Sequence, residues 1–237
     1  MLKSEIIPIL ASLIAVMFVL IPHEFAHAFI AYKNGDATAK MYGRLTLNPV
    51  KHLDPIGCIL CIFTGFGWAK PVPIYPYNFK KYRVGLFTTA IAGVVTNYII
   101  AFIAYPLYLL CFYVLLPVTE TEVAYYTVYT IGYIFYLIYF YSLTVFVFNL
   151  IPLNPLDGFR IVESVTREIN PVRRFLRNYG SYILIFLVVE SFVCTKIAQY
   201  TDLQNIRYFN FLGYYLNWFA NIVGFPISAL WDLIFGI

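Results

Sequence analysis

Charge is scarce in this chain. Asp, Glu, Lys and Arg make up 12% of its 237 residues, against 61% hydrophobic residues. A water-soluble fold of this size could not cover its apolar surface with so few charges. A mean hydropathy of +0.75 points to lipid as the solvent instead. Basic stretches polar enough to form a nucleic-acid surface are also lacking, and the net charge is only +4, so no nucleic-acid partner is expected. Cysteine is sparse. Cys58 and Cys61 form one C-x-x-C with no second pair nearby, which excludes a zinc knuckle and leaves Cys58, Cys61, Cys111 and Cys194 as small buried apolar side chains. Histidine occurs three times, so an imidazole-based metal site has few places to be. Internal repeats, low-complexity tracts and a soluble second domain are all missing. The chain reads as one integral-membrane domain over residues 1–237.

What is abundant is long apolar runs. About 20 apolar residues cross a bilayer. Spans are predicted over about Ile6 to Tyr32, Val84 to Leu116, Ala124 to Leu150, Tyr179 to Ala198 and Tyr208 to Phe235, the last with a break near Gly224 and Pro226. The first run continues into a charged motif without a small-residue cleavage site, which predicts a retained span rather than a removable signal. Lys40 to Pro49 alternates apolar and polar residues around Gly43 and reads as a short strand or hairpin. Asp54 to Phe66 is apolar but too short to span and reads as re-entrant. Gly65 to Tyr82, rich in Pro, Gly and Tyr, reads as a surface loop. The expected fold is therefore an all-α polytopic membrane protein of five to six transmembrane helices, with a short β-hairpin or strand and a re-entrant segment.

Basic residues set the expected orientation. Thirteen of the 16 Lys and Arg fall in three segments, Lys33–Lys51, Lys70–Arg83 and Arg160–Arg177, all on one side if the chain crosses at each span. The loop after Leu116 has Glu120 and Glu122 and no basic residue. The positive-inside rule places the three segments in the cytoplasm and the N-terminus outside.

The first span contains His23-Glu24-Phe25-Ala26-His27. Residues four apart share a helix face, so two imidazoles can meet one metal ion, with the Glu24 carboxylate in reach of water on that metal. Ionisable groups within a span are costly, so three in five residues point to function rather than packing. At 1.5 Å per residue, His27 lies ~9 Å and His23 ~15 Å below the level of Lys33. A catalytic zinc usually takes three protein ligands and leaves one position open. The third-ligand candidates are His52, Asp157 and Glu190. Of these, Asp157 follows the third span in Asn154-Pro155-Leu156-Asp157-Gly158, where Pro155 and Gly158 break the helix.

HEFAH together with NPLDG resembles the site-2 protease family of intramembrane zinc metalloproteases, in its small form without PDZ or CBS domains. The stretches GRLTLNPVKHLDPIG and GWAKPVPIYPYNF strengthen the resemblance, which runs from the first span to about Val162. The resemblance implies one zinc ion per chain on His23, His27 and Asp157, with Glu24 as catalytic base and His52 outside the ligand set. It also implies that Asn97, in Ala92-Gly93-Val94-Val95-Thr96-Asn97, faces the zinc and helps hold the substrate carbonyl or its oxyanion. Val94 stands where the family commonly has proline. Asn154 is implied to contact substrate backbone.

The expected reaction is hydrolysis of peptide bonds in or near transmembrane segments of other membrane proteins, within a prokaryotic plasma membrane. A spanning substrate must unwind before it is cut, and an exposed strand edge would hold it. The predicted edge is Lys40 to Leu47, with Arg44, Leu45 and Thr46 as substrate-binding residues. Two other readings are a membrane metal-ion transporter and a catalytically inactive binding relative. The adjacent Glu24 and the lack of an inverted repeat count against the transporter.

Overall fold

A computed structural model describes residues 2–52, 54, 57, 70–201 and 204–237. The described residues are helical, with no strand among them. Five helices are long and apolar enough to cross a membrane. They are α1 (Leu2–Asn34), α4 (Tyr82–Leu109, prolonged to Val118 through a π-helical and a 3-10 turn), α5 (Glu122–Asn149), α7 (Pro171–Tyr200) and α8 (Phe211–Phe235). Short helices connect them: α2 (Thr38–Met41), α3 (Pro49–His52) and α6 (Asp157–Val165).

These helices form because apolar runs of 25 or more residues have no backbone partner in lipid other than their own. Where two of them start, polar side chains cap the free amides. The Thr121 side chain accepts from the amide of Ala124, and Asn170 accepts from the amides of Val172 and Arg173. Phe18 and Phe186, 62% and 66% exposed, lie on outward faces suited to hydrocarbon.

The centre of the bundle is α1, α4 and α5. Ala11, Ala15 and Val19 of α1 pack with Ala104, Leu137 and Ile138. Small residues allow close approach where lipid offers no hydrophobic drive to association. The last helix is continuous through Gly224 and Pro226, so the expected break is absent. Gly224 sits where a Cβ would lie 2.7 Å from Leu143, so it serves close packing against α5 rather than interruption. α8 runs in the same sense as α4: the Tyr98 hydroxyl donates to the Val223 carbonyl and the Tyr105 hydroxyl to Asp232. It starts beside α7, where the Phe211 amide donates to Glu190. That contact is what Glu190 does here, well apart in sequence and partners from the histidine pair.

The strand expected over Lys40 to Pro49 does not form. Thr38–Met41 is a helical turn, Gly43 turns the chain at φ +64°, and Pro49 opens another turn. The alternation does not mark a buried face: the apolar Met41, Tyr42 and Leu47 are exposed, whereas the polar Arg44 is buried. The re-entrant segment expected over Asp54 to Phe66, with Cys58 and Cys61, lies outside the described residues except for Asp54 and Gly57. The loop ahead of α4 is not simply a surface loop. Val72 and Phe79 are buried, Val72 beside Ala28 and Phe79 beside Ala31 of α1.

Candidate metal centre

α1 and α4 face each other with matching four-residue spacings. On α1 the pair is His23 and His27. On α4 the corresponding face carries Thr89, Gly93 and Asn97, again at four-residue intervals. The Nδ1–H of His27 donates to the Thr89 carbonyl across 2.7 Å. The Asn97 side-chain amide lies 3.0 Å from Nδ1 of His23. Gly93 sits between them. A Cβ there would lie 2.4 Å from Nε2 of His27 and 2.6 Å from Cε1 of His23, so only glycine lets α4 approach this closely.

Both rings therefore anchor one nitrogen on α4 and turn the other to a common point. The two Nε2 atoms are 3.0 Å apart. Asp157 reaches the same point from the first residue of α6, with Oδ2 3.4 Å from Nε2 of His23 and 3.0 Å from Nε2 of His27. All three side chains are buried, at 4%, 4% and 6% exposure. The turn that delivers Asp157 depends on Gly158, whose Cβ would lie 2.4 Å from the Leu150 carbonyl oxygen at the end of α5. An ion pair then pins α6 to α7. Arg173, itself buried, donates to Glu163 at 2.7 Å and to the Thr166 carbonyl, and Arg177 bonds the same carboxylate.

The electrostatics of this triangle ask for a cation. With the Nδ1 proton given to Thr89, the neutral His27 ring presents its Nε2 lone pair. Two imidazole nitrogens and a carboxylate oxygen converging within 3.4 Å need a proton or a metal cation among them. Zinc fits the spacing. With tetrahedral bonds of about 2.0–2.1 Å, neighbouring ligand atoms lie roughly 3.3 Å apart. The observed edges are 3.0, 3.0 and 3.4 Å. Two nitrogens and one oxygen also form the donor set of a catalytic site with an open position. His23, His27 and Asp157 are the group that could hold a metal ion among the described residues.

Glu24, half-buried, is held from another direction. Its Oε2 accepts from the Val72 amide at 2.9 Å. Two buried charges hold that loop. The Arg44 guanidinium donates to the carbonyls of Lys70 and, at 3.3 Å, Pro71. Asp36, fully buried, accepts from the amides of Thr38 and Tyr75 at 3.0 and 2.7 Å, from Asn78 Nδ2 at 2.9 Å and from the Thr38 hydroxyl. Burial pushes the Asp36 carboxyl up, but these four donors outweigh it and hold it below the ordinary value. Asp36 and Val72 escaped sequence reasoning, the first because it resembles any loop acid and the second because a backbone amide leaves no side-chain signal. Gly93 was legible within the Ala92–Asn97 motif but was read there for resemblance, not for contact.

The residues expected to bind substrate are not gathered at this point. Arg44 is buried and committed to the Lys70–Pro71 backbone. Leu45 packs with Ala28, Ala39 and Val72. The Thr46 hydroxyl accepts from the Asn48 amide, and its carbonyl accepts from Nε2 of His52 at 2.7 Å. His52 is thus a buried loop-ordering group, away from the ligand triangle. Asn154 donates to Ser181 at 3.2 Å and receives the Ser181 hydroxyl on its carbonyl, which fastens the turn to α7. Asn97 lies behind His23, at Nδ1, while the ligand triangle is formed at Nε2.

The sequence matches a model of Peptidase family M50 over residues 113–191. It is 43% identical over 192 residues to YwhC of Bacillus subtilis (strain 168), named as a candidate zinc metalloprotease; the match covers 78% of this chain and 81% of that protein. It is 27% identical over 171 residues to Rip2 of Mycobacterium tuberculosis (strain ATCC 25618 / H37Rv), which bears the same kind of name, over 70% of this chain and 61% of Rip2. No solved structure matches it.

Proposed function

Because this chain belongs to peptidase family M50, we propose that His23, His27 and Asp157 hold one zinc ion and that Glu24 is the catalytic base of peptide-bond hydrolysis within the membrane. The chain is an intramembrane zinc metalloprotease, and the residue roles rest on geometry. The observation that carries them is the meeting of two imidazoles from α1 with a carboxylate from α6, distant by 130 residues in sequence, at edges of 3.0–3.4 Å.

When bound, zinc supplies a Lewis acid that polarises water and the scissile carbonyl. Glu24 takes the proton of the attacking water and delivers it to the leaving amine nitrogen. The Val72 amide fixes one carboxylate oxygen, which keeps the other available for that proton. Thr89 fixes the His27 ring by its backbone, where no side-chain rotation can release it. The helix N-terminus beneath Asp157 favours its charged form.

The substrate class is a transmembrane protein or peptide, since the site lies among helices of spanning length. The basic segments support a site towards the cytoplasm with the N-terminus outside, and the bacterial relatives favour a prokaryotic plasma membrane. Glu24→Gln tests the assignment. The variant keeps its zinc and accumulates uncut membrane peptides that wild type clears. Cleavage at the wild-type rate overturns the role of Glu24, and metal transport that persists without any cleavage by wild type supports a transporter instead.

A further inference from the structure

Each zinc-facing ring is gripped at its rear nitrogen, but by different kinds of partner. His27 Nδ1 meets a backbone carbonyl, which can only accept. His23 Nδ1 meets the side-chain amide of Asn97, which can donate or accept according to a half-turn of its terminal group. Asn97 is fully buried in the middle of α4. With Nδ2 towards His23, its Oδ1 is buried without a donor. That orientation also gives His23 Nδ1 the lone pair, which moves the ring proton to Nε2 and blocks it as a ligand. The half-turn reverses both. Oδ1 then accepts from Nδ1–H, and Nε2 presents its lone pair to the point shared with His27 and Asp157.

We propose that Asn97 is a positioning residue that selects the metal-binding tautomer of His23, rather than a donor to the substrate oxygen. Its place behind the ring, four residues beyond Gly93 and eight beyond Thr89, supports this role. It completes a rear brace in which α4 holds both imidazoles by Nδ1. Partners of this kind commonly change metal affinity by about 10–100-fold when removed. This inference rests on the zinc assignment above.

The test is zinc affinity, measured on full-length detergent-solubilised protein by chelator competition. Asn97→Leu keeps the branched outline, adds bulk and removes the acceptor, and its affinity falls by about 10–100-fold. Asn97→Asp supplies an acceptor only, and its affinity stays at or above wild type. A substrate-oxygen donor predicts the reverse pattern: neither variant moves zinc affinity, and both lose turnover. Wild-type zinc affinity in Asn97→Leu overturns the proposal. If the leucine variant fails to fold, Asn97→Asp still decides, because an affinity loss of about tenfold or more there overturns it. Wild-type protein without zinc overturns the metalloprotease site and this inference together, whereas zinc-loaded wild type with an unaffected leucine variant overturns this inference alone.

Discussion

Gly93→Ala is a one-carbon perturbation whose consequence can be worked from the structure. The new methyl would stand 2.4 Å from His27 Nε2 and 2.6 Å from His23 Cε1, where ordinary contact begins at 3.4 Å. Either the rings retreat by about 1 Å or α4 does. Metal–ligand distances in working sites hold within about 0.2 Å, so a 1 Å retreat detaches at least one nitrogen. Helix retreat is opposed by the Thr89 and Asn97 contacts on either side. The prediction is a loss of zinc affinity of at least about 100-fold, larger than loss of an outer partner. Alanine favours a helix over glycine by about 1 kcal/mol, so the helical fold survives. Zinc content after dialysis against buffered metal, with circular dichroism on the same sample, measures both. A folded Gly93→Ala protein with wild-type zinc affinity would refute the claim that Gly93 opens the space for the rings.

Three further outcomes follow from the same contacts. Arg44→Ala releases the Lys70 and Pro71 carbonyls and with them the Val72 amide on Glu24, so turnover falls by about tenfold or more, about 1.4 kcal/mol, while zinc content is unchanged; measuring both on one preparation checks it. The Asp36 carboxyl has a folded value below its ordinary 3.8, so its stabilisation of the loop is complete above that pH and lost as pH falls through the lowered value. Wild type should keep residues 70–78 protected from proteolysis below pH 3.8, and Asp36→Ala should lose protection at every pH. Gly158→Ala drives a methyl into the Leu150 and Ile151 carbonyls, which displaces Asp157 and lowers zinc content with the spans intact by circular dichroism.

The parts of this molecule legible in its sequence are those fixed by long patterns. Five spans were readable because runs of about 20 residues or more leave lipid as the only solvent for them. The His23–His27 pair was readable because its four-residue spacing is a helix period. Asp157 was a candidate from its helix-breaking surroundings, and the resemblance singled it out. The short segments were less legible. Lys40 to Pro49 alternates like a strand, yet its apolar Met41, Tyr42 and Leu47 are exposed and its Arg44 is buried, so the alternation follows no sheet face. Arg44 was expected among the substrate-binding residues of a strand edge, and its guanidinium bonds two loop carbonyls. Nothing local could foretell that partner, 26 residues on. Thr89 and Val72 contribute main-chain atoms, which any residue type supplies, so no sequence pattern marks them.

The central claim is that a carboxylate from α6 completes a metal site begun by two imidazoles of α1. Metal analysis of purified wild type beside Asp157→Ala tests it directly. The expected result is about one zinc per wild-type chain, matching the single ligand triangle, with most of it lost from the variant. Equal zinc in the two proteins would contradict the claim.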